Sequence, residues 1–415
     1  MATKAPMKDI VVILPGVMGS VLQKDGKDVW NLSGQTLSRM INVFGNRFQD
    51  LKLLGDDIAG GDIEDGIKPT RLITDTSLLP GSSGFGKIVD GYNRLSAQIT
   101  KNFDVTEGNI YDDPDEAAAN FYHFPYDWRR DNRANANILK RLLDKRLHRW
   151  RESSGNSDAK VILVAHSMGG LISRYYLEVL GGWQDCKALF TFGTPYRGSV
   201  NALHTLSNGI KKKGINLGAL LGLDSVIPTL TSVYQLLPRY RALQVGDEFY
   251  RISQSPESLP GVDLVRAADA LKFHDEIDDA ADANQNNATY RASFVTCPVV
   301  GVVQPTMQSA KLAGGVISVS EELPAWLSDR AHLADGDGTV PQVSATPIQM
   351  NDREMLSIVD YVAESHGALQ NQPNVLLNLL KGIQSAQADS TADVRGAVMD
   401  VSKGTRSSAK GIVLI

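Results

Sequence analysis

The chain alternates short apolar runs with segments whose apolar residues recur every three to four positions. The runs have the continuous hydrophobic character of strands buried on both faces of a sheet. They are residues 9–15, 160–166, 187–195, 293–303 and 354–362. Helical patterns lie between them, at residues 134–152, 170–180 and 374–383. This alternation predicts an α/β fold with a mostly parallel central sheet and helices on both faces.

Other regions interrupt the alternation. Residues 20–90 are irregular in pattern and rich in Gly and Asp, which indicates a cap-like insertion. Residues 199–260 begin with Gly- and Leu-rich segments and are interpreted as a lid-like insertion. We therefore expect a single catalytic domain over residues 8–383, followed by a polar C-terminal extension over 384–415.

Composition and charge narrow the function classes. The 415 residues are 42% hydrophobic and 21% charged, as in ordinary globular proteins. The net charge of −5 argues against a nucleic-acid partner, which requires clustered positive charge. Cys186 and Cys297 are too few for a disulfide framework or a metal cluster, and each lies in an apolar run. Both are predicted to be buried small hydrophobes.

The N-terminal segment does not have the pattern of a signal peptide, because its apolar run is short and ends at Pro15-Gly16. No apolar stretch reaches the roughly 18 residues that a transmembrane helix needs. The expected location is therefore the cytoplasm, with peripheral membrane contact or non-classical secretion as alternatives.

The strongest candidate for chemistry is Ser167. It follows the apolar run 160–166 directly, and a helical pattern begins at once after it. Strand, tight turn and helix form the context of a nucleophile elbow, whose usual pattern is Gly-x-Ser-x-Gly. Here Ala165 replaces the first glycine and Gly169 is the second. One extra methyl group is a mild departure, so Ser167 is predicted to be the nucleophile.

An acid and a base are expected later in the chain, in that order. Asp337 lies in a turn-rich loop before Gly-Thr-Val-Pro and is the preferred acid, with Asp335 as the alternative. His366 follows an apolar run, precedes a helical pattern and comes after the acid. His366 would accept the Ser167 proton while Asp337 orients its ring. His166 is expected to point into the structure and is not assigned as the base.

Acyl transfer also needs backbone N–H groups aimed at the developing oxyanion. Met168, the residue after the nucleophile, is one predicted donor. The Pro15-Gly16 break after the first apolar run supplies the other, with Val17 the preferred donor and Met18 the alternative.

Several separated segments together resemble one family. They are PGVMGS at 15–20, PYDWRRD at 125–131, VAHSMGG at 164–170, FGTPYRGS at 192–199, SVYQLLP at 232–238, GDGTVP at 336–341 and SHG at 365–367. In this order they resemble the lecithin:cholesterol acyltransferase family, which includes phospholipid:diacylglycerol acyltransferases and lysosomal-type phospholipases A. The resemblance spans roughly residues 9–383, and the YDWR segment is its most specific part.

The resemblance implies an α/β-hydrolase core with a cap and a mobile lid, and a serine acyl-enzyme formed from a lipid ester. It matches the triad to Ser167, Asp337 and His366, and the oxyanion donors to Val17 and Met168. It also matches Asp127, Trp128 and Arg129 to a segment that organises the site or contacts the substrate. The chain departs from the secreted family members in lacking a signal peptide and the cysteine pair that fixes their lid.

Two features bear on lipid selection. Lys211, Lys212 and Lys213 lie in the lid-like insertion, where they would contact anionic headgroups or form a solvated loop. Trp30 is interpreted as a core residue or as an aromatic residue that faces the acyl pocket or the membrane.

These patterns predict a serine esterase or acyltransferase that cleaves an acyl ester of a lipid, with a phospholipid as the expected class. Water or a lipid alcohol would receive the acyl group, and no metal or organic cofactor is implied. The alternatives are an esterase or thioesterase for small soluble esters, and a catalytically inactive binding module of the same fold.

Overall fold

The computed structural model describes residues 3–31, 46–74, 91–113, 117–212, 215–216, 222–350 and 358–387. Part of the predicted cap-like insertion, Lys213 and most of the predicted C-terminal extension lie outside these residues.

The strands are numbered in chain order. They are β1 Ala5–Pro6, β2 Ile10–Leu14, β3 Ser20–Lys24, β4 Lys27–Trp30, β5 Ile67–Leu72, β6 Phe103–Asp104, β7 Glu107–Asn109, β8 Phe121–His123, β9 Val161–His166, β10 Cys186–Phe192, β11 Lys211–Lys212, β12 Ile215–Asn216, β13 Leu243–Val245, β14 Glu248–Tyr250, β15 Val295–Gly301, β16 Ser309–Ala313, β17 Val316–Ser320 and β18 Asp360–Val362.

The α-helices are α1 Asn93–Asn102, α2 Asn132–Ser154, α3 Met168–Glu178, α4 Val200–Asn208, α5 Thr231–Tyr234, α6 Leu264–Asn284, α7 Ala288–Ser293 and α8 Pro373–Ala386. Short 3-10 helices cover Asn46–Leu51, Gly182–Asp185, Leu223–Ser225, Ile227–Thr229, Ile252–Gln254, Ala325–Leu333, Gln342–Ser344 and His366–Asn371.

A central sheet of seven strands organises the described residues, in the order β18-β15-β10-β9-β2-β8-β7. Every neighbouring pair in it is parallel. All of the predicted strand runs contribute to this sheet, so the predicted α/β fold with a mostly parallel sheet is confirmed. The carboxyl ends of β2, β9, β10, β15 and β18 lie along one edge, where ligand sites of such sheets form.

Successive residues of the central strands enter two different cores, because side chains alternate across a sheet. Ile10, Val12 and Leu14 belong to one apolar cluster, whereas Val11 and Ile13 belong to the other. The first cluster includes buried residues of α2, α3 and α6, and the second those of α1 and α8. Burial on both faces explains why these strands are continuous apolar runs.

The prediction that residues 20–90 are irregular is wrong where this region forms strands β3, β4 and β5. Strands β3 and β4 form an antiparallel hairpin, and β5 pairs with the other edge of β3. The turn between β3 and β4 places Asp25 at φ 52° and Gly26 at φ 72°. Asp-Gly is a favoured pair for such a two-residue turn, and it was the available sequence signal.

A second unpredicted unit combines parts of the lid-like insertion with residues that follow β15. Strands β14, β13, β16 and β17 form a four-stranded sheet. In sequence, helix α6 lies between these two segments. It packs on α3, where the rings of Phe273 and Tyr175 stack with their centroids 5.5 Å apart. In the lid-like insertion, Lys211 and Lys212 form a short strand that pairs with Ile215 and Asn216.

Cys186 and Cys297 are both buried, as predicted. Across the described ranges, no helix combines the length and the apolar character needed to cross a membrane.

Candidate active site

Ser167 lies at the junction of β9 and α3 in a strained backbone conformation. Its φ is 52° and its ψ −123°, a region that residues other than glycine rarely adopt. Its N–H donates to the carbonyl oxygen of Phe192 at 2.8 Å, which ties the turn to the neighbouring strand. This geometry is that of the elbow predicted from the sequence.

The two flanks of the elbow differ in the space around them. A Cβ atom on Gly169 would lie 2.5 Å from the carbonyl oxygen of Pro15, which is backbone and cannot rotate away. Ala165 faces the opposite flank, and its methyl group is fully buried in the apolar core. Glycine is therefore required on one side of Ser167 only, which explains the departure from the two-glycine pattern.

The structure brings together Ser167, Asp337 and His366. Nε2 of His366 lies 2.9 Å from Oγ of Ser167, and Nδ1 of His366 lies 2.7 Å from Oδ2 of Asp337. Because a carboxylate only accepts, Nδ1 carries a hydrogen and Nε2 presents its lone pair to the serine hydroxyl. The arrangement can transfer a proton from Ser167 to His366 as the serine attacks an ester.

Backbone contacts hold the acid in place. Oδ1 of Asp337 accepts the N–H groups of Thr339 at 2.9 Å and Val340 at 2.7 Å. The N–H of His366 donates to the carbonyl oxygen of Asp337 at 2.9 Å. Asp337 therefore contacts both the side chain and the backbone of His366.

Asp335, the alternative acid, lies in a different position. Its Oδ2 accepts the N–H of Val303 at 2.9 Å, and burial raises the pKa of its carboxyl group. Val303 has φ 65°, which is unfavourable for a β-branched residue. Asp335 thus supports the strained backbone just after β15, and the carboxylate that contacts His366 is that of Asp337.

Two of the three side chains are almost fully buried, and that of His366 is 12% exposed. Ser167 is 5% exposed and Asp337 2%. The low exposure of Ser167 leaves only a narrow approach to its Oγ.

The predicted oxyanion loop, residues 15–19, lies directly beside the serine. A Cβ atom on Gly16 would lie 3.0 Å from Cβ of Ser167. Among the described residues, no hydrogen bond uses the N–H of Val17 or of Met168. Both N–H groups are thus available to an incoming oxyanion, and their role as donors stays a prediction.

The PYDWRRD segment holds both ends of this loop. The hydroxyl of Tyr126 donates to the carbonyl oxygen of Pro15 at 2.8 Å, and Nε1 of Trp128 donates to that of Ser20 at 3.1 Å. Nε1 of Trp30 donates to the carbonyl oxygen of Met18 at 3.0 Å, and its ring packs edge-on against Trp128 at 5.1 Å. Trp30 is therefore a buried residue that supports the loop, as its interpretation as a core residue expects.

Asp127 and Arg129 pair with each other. Nε and Nη2 of Arg129 lie 2.9 and 2.6 Å from the two carboxylate oxygens of Asp127. Nη2 also lies 2.7 Å from Oδ2 of Asp65, so the fully buried guanidinium is paired with two carboxylates. These contacts favour the site-organising role over direct contact with the substrate.

Sequence reasoning missed Tyr92 and Gly193. Tyr92 is buried, and its hydroxyl lies 2.8 Å from the N–H of Gly16. Gly193 follows β10 with φ 57°, and a Cβ atom there would lie 2.8 Å from Oδ2 of Asp337. A glycine at the end of an apolar run was a visible signal, whereas nothing in the pattern around Tyr92 indicates its contact.

Comparisons with known proteins place the chain in a family. The sequence model of the family described as lecithin:cholesterol acyltransferase matches residues 115–389, well over half of the chain. A search of curated proteins gives no match.

Solved structures are similar to this chain at low sequence identity, and the first of them shares its fold. A chain of the Tle4–Tli4 complex is 15% identical with a TM-score of 0.53, over 97% of this chain and 99% of that one. The mature form of the Bacillus licheniformis lipase BlEst2 is 15% identical with a TM-score of 0.39, over 89% of each chain. Its propeptide form is 16% identical with a TM-score of 0.41, over 92% of this chain and 52% of that one.

The predicted family resemblance is therefore confirmed. The chain belongs to the lecithin:cholesterol acyltransferase family of α/β-hydrolases, and its general activity is that of an acyl-ester hydrolase or acyltransferase.

Proposed function

We propose that this protein cleaves an acyl ester of a lipid, with a phospholipid as the expected class, through a covalent acyl-enzyme on Ser167. The observation that carries the proposal is the 2.9 Å contact between Nε2 of His366 and Oγ of Ser167 on the strained elbow. A hydroxyl held in this position next to an oriented imidazole is the arrangement of an activated nucleophile.

The reaction proceeds in two halves. Oγ of Ser167 attacks the ester carbonyl carbon, and its proton moves to Nε2 of His366. The negative charge that forms on the carbonyl oxygen is stabilised by the N–H groups of Val17 and Met168. The carbon–oxygen ester bond then breaks, and the departing alcohol takes the proton from His366.

The second half releases the acyl group. Water, or the hydroxyl of a lipid alcohol, attacks the acyl carbon while His366 accepts its proton. The proton then returns to Ser167 as the new acid or ester leaves. Asp337 stabilises the imidazolium form of His366 in both halves.

Contact with a lipid surface is the second part of the proposal. The lid-like insertion carries Lys211, Lys212 and Lys213, and each lysine near an anionic surface contributes about 1 kcal/mol to attraction. We propose peripheral contact with a lipid surface through this insertion.

The test is lipid mass spectrometry after incubation of the full chain with vesicles that contain phospholipids, diacylglycerol and a sterol. We expect the wild-type protein to convert a phospholipid into its lyso form, together with a free fatty acid or a new ester. Ser167→Ala should abolish both products. Conversion that persists in Ser167→Ala would show that another group is the nucleophile.

Further assays of the wild-type protein separate the lipid esterase from the two alternatives, an esterase for small soluble esters and an inactive binding module. A soluble ester assayed below and above its micelle threshold should be hydrolysed faster above it if the natural substrate is a lipid. No rise at the threshold would favour a small soluble ester or thioester. Failure of wild-type protein to react with a fluorophosphonate probe at Ser167 would favour an inactive binding module.

A further inference from the structure

A buried histidine lies beside the proposed nucleophile but outside the triad. Nδ1 of His166 is 3.0 Å from the hydroxyl oxygen of Tyr92, and its Nε2 is 3.0 Å from the carbonyl oxygen of His366. Both His166 and Tyr92 are almost fully buried, at 2% and 1% exposure. Polar groups at such depth need partners, and all of these atoms have them.

The carbonyl oxygen of His366, at one end of this series, fixes the direction of every hydrogen bond in it. The carbonyl oxygen of His366 can only accept, so Nε2 of His166 carries the hydrogen and Nδ1 must accept. The Tyr92 hydroxyl therefore donates to Nδ1, and its oxygen accepts the N–H of Gly16 at 2.8 Å. One continuous chain of hydrogen bonds runs from the backbone of Gly16 to the backbone of His366.

Both side chains keep this pattern because burial holds them neutral. Burial lowers the pKa of His166 to about 3, with a further contribution from His366, and raises the pKa of Tyr92 above its ordinary value. His166 is therefore a poor proton acceptor at neutral pH, and the proton of Ser167 moves to His366 alone.

We propose that Tyr92 and His166 are positioning residues that couple the oxyanion loop to the catalytic histidine. This inference rests on the proposed function, because it gives the pair a role in acyl transfer. This series of hydrogen bonds holds Gly16, which lies beside Ser167, and His366. Nε2 of His366 must stay within reach of the Ser167 Oγ. A shift at either end would misplace an oxyanion donor or the base.

Two further contacts make the connection more rigid. Nε2 of Gln370 and Nδ2 of Asn371 donate to the carbonyl oxygen of Gly91, at 3.2 and 3.1 Å. Gly91 precedes Tyr92, and Gln370 and Asn371 belong to the 3-10 helix that begins at His366. The segment that carries Tyr92 is thus bound to the segment that carries the base.

The first test replaces Tyr92 with Phe in the full chain, which keeps the ring and removes the hydroxyl. Gly16 N–H and Nδ1 of His166 then lose their partners, and we expect kcat on a monomeric p-nitrophenyl ester to fall about 10- to 100-fold. KM should change less than about threefold, since acyl-chain contacts are untouched. The rate of fluorophosphonate labelling should fall by a similar factor as kcat.

Tyr122→Phe is the matched control. Tyr122 is also almost fully buried, and its hydroxyl donates to the carbonyl oxygen of Ala119 at 2.9 Å, away from the triad. Its loss should lower the melting temperature by an amount similar to that of Tyr92→Phe, with kcat within twofold of the wild type. The two variants thus separate loss of stability from loss of positioning.

The second test replaces His166 by Gln or by Phe. A carboxamide offers one acceptor and one donor, as the neutral imidazole does, whereas a phenyl ring offers neither. We expect His166→Gln to retain substantially more kcat than His166→Phe. In the double variant Tyr92→Phe with His166→Phe, kcat should fall less than the product of the single effects, because both break one chain.

The outcomes separate the two proposals. If Ser167→Ala is inactive but Tyr92→Phe keeps kcat within twofold, the positioning role is wrong and the proposed function stands. The positioning role is also wrong if Tyr122→Phe loses as much kcat as Tyr92→Phe. If Ser167→Ala stays active, the proposed function itself fails.

Discussion

At Gly193 the backbone passes directly behind the pair formed by Asp337 and His366. A Cβ atom there would lie 2.8 Å from Oδ2 of Asp337 and 2.9 Å from Nδ1 of His366, the two atoms that share a hydrogen. The residue also has φ 57°, which favours glycine. The close contact of acid and base therefore depends on the absence of a side chain at this position.

We predict that Gly193→Ala separates the acid from the histidine and lowers kcat by about 100-fold, the order expected for a displacement near 1 Å. The measurement is ester hydrolysis by the folded variant, with its melting temperature recorded alongside. Gly181→Ala is the matched control, because Gly181 has φ 73° but a Cβ atom there would lie 3.8 Å from its nearest neighbour, Nε2 of Gln184. A kcat for Gly193→Ala above half of the wild-type value would contradict the prediction.

At the scale of elements, the site depends on how closely α3 approaches the loop that follows β2. Gly169 is in the first turn of α3, and a Cβ atom there would meet Pro15 at 2.5 Å and Leu14 at 3.0 Å. Helix and oxyanion loop are therefore in direct backbone contact. A change on this flank moves Pro15 and Gly16, and with them the predicted donor Val17.

We predict that Gly169→Ala costs about 1–3 kcal/mol of unfolding free energy by overpacking and also lowers kcat. Ala165→Gly, on the opposite flank, should cost about 1 kcal/mol while kcat stays within a few-fold of the wild type. Urea denaturation and ester hydrolysis measure the two quantities. Equal losses of kcat in both variants would show that the flanks do not differ.

The elements that form the site were predictable because they are buried on both faces. Strands β2, β9 and β10 are continuous apolar runs, and the elbow follows one of them at once. Helix α6 was missed because its buried face contains Ala267, Ala270 and Ala281, which give little hydrophobic contrast in the sequence.

Other features depend on contacts that are distant in sequence. Tyr92 lies 74 residues from His166 and 76 from Gly16, so no local pattern can indicate their hydrogen bonds. The bonds of the PYDWRRD segment to Pro15 and Ser20 span 111 and 108 residues, and only the family resemblance indicated that this segment lies near the site.

At the scale of the whole molecule, buried histidines link folding to pH. His274 on α6 is buried, with Nε2 2.8 Å from the carbonyl oxygen of Gln235. Burial, with the nearby Arg239, lowers its pKa from 6.5 to about 4. Below about pH 6.5 the unfolded chain takes up a proton at His274 that the folded chain does not, so stability falls as the pH falls towards 4.

We predict that the wild-type protein loses about 2 kcal/mol more unfolding free energy than His274→Gln when the pH is lowered from 7 to 5. Gln keeps a donor for Gln235 but does not titrate. Urea denaturation of both proteins at the two pH values measures the difference. Between pH 8 and 9 His274 is neutral in both the folded and the unfolded state, so the stabilities of the two proteins should change there by the same amount. Parallel pH curves for wild type and His274→Gln would contradict the prediction.

The depth of Ser167 has a kinetic consequence. Because the serine is 5% exposed, esters reach Oγ by a narrow approach, and a change in that approach alters the apparent rate constant of every ester that uses it. A substitution that changes this approach alone, equally for two esters, rescales both of their rates by a common factor. The ratio of rates between two such esters cancels this factor, and it therefore reports the selectivity of the site itself.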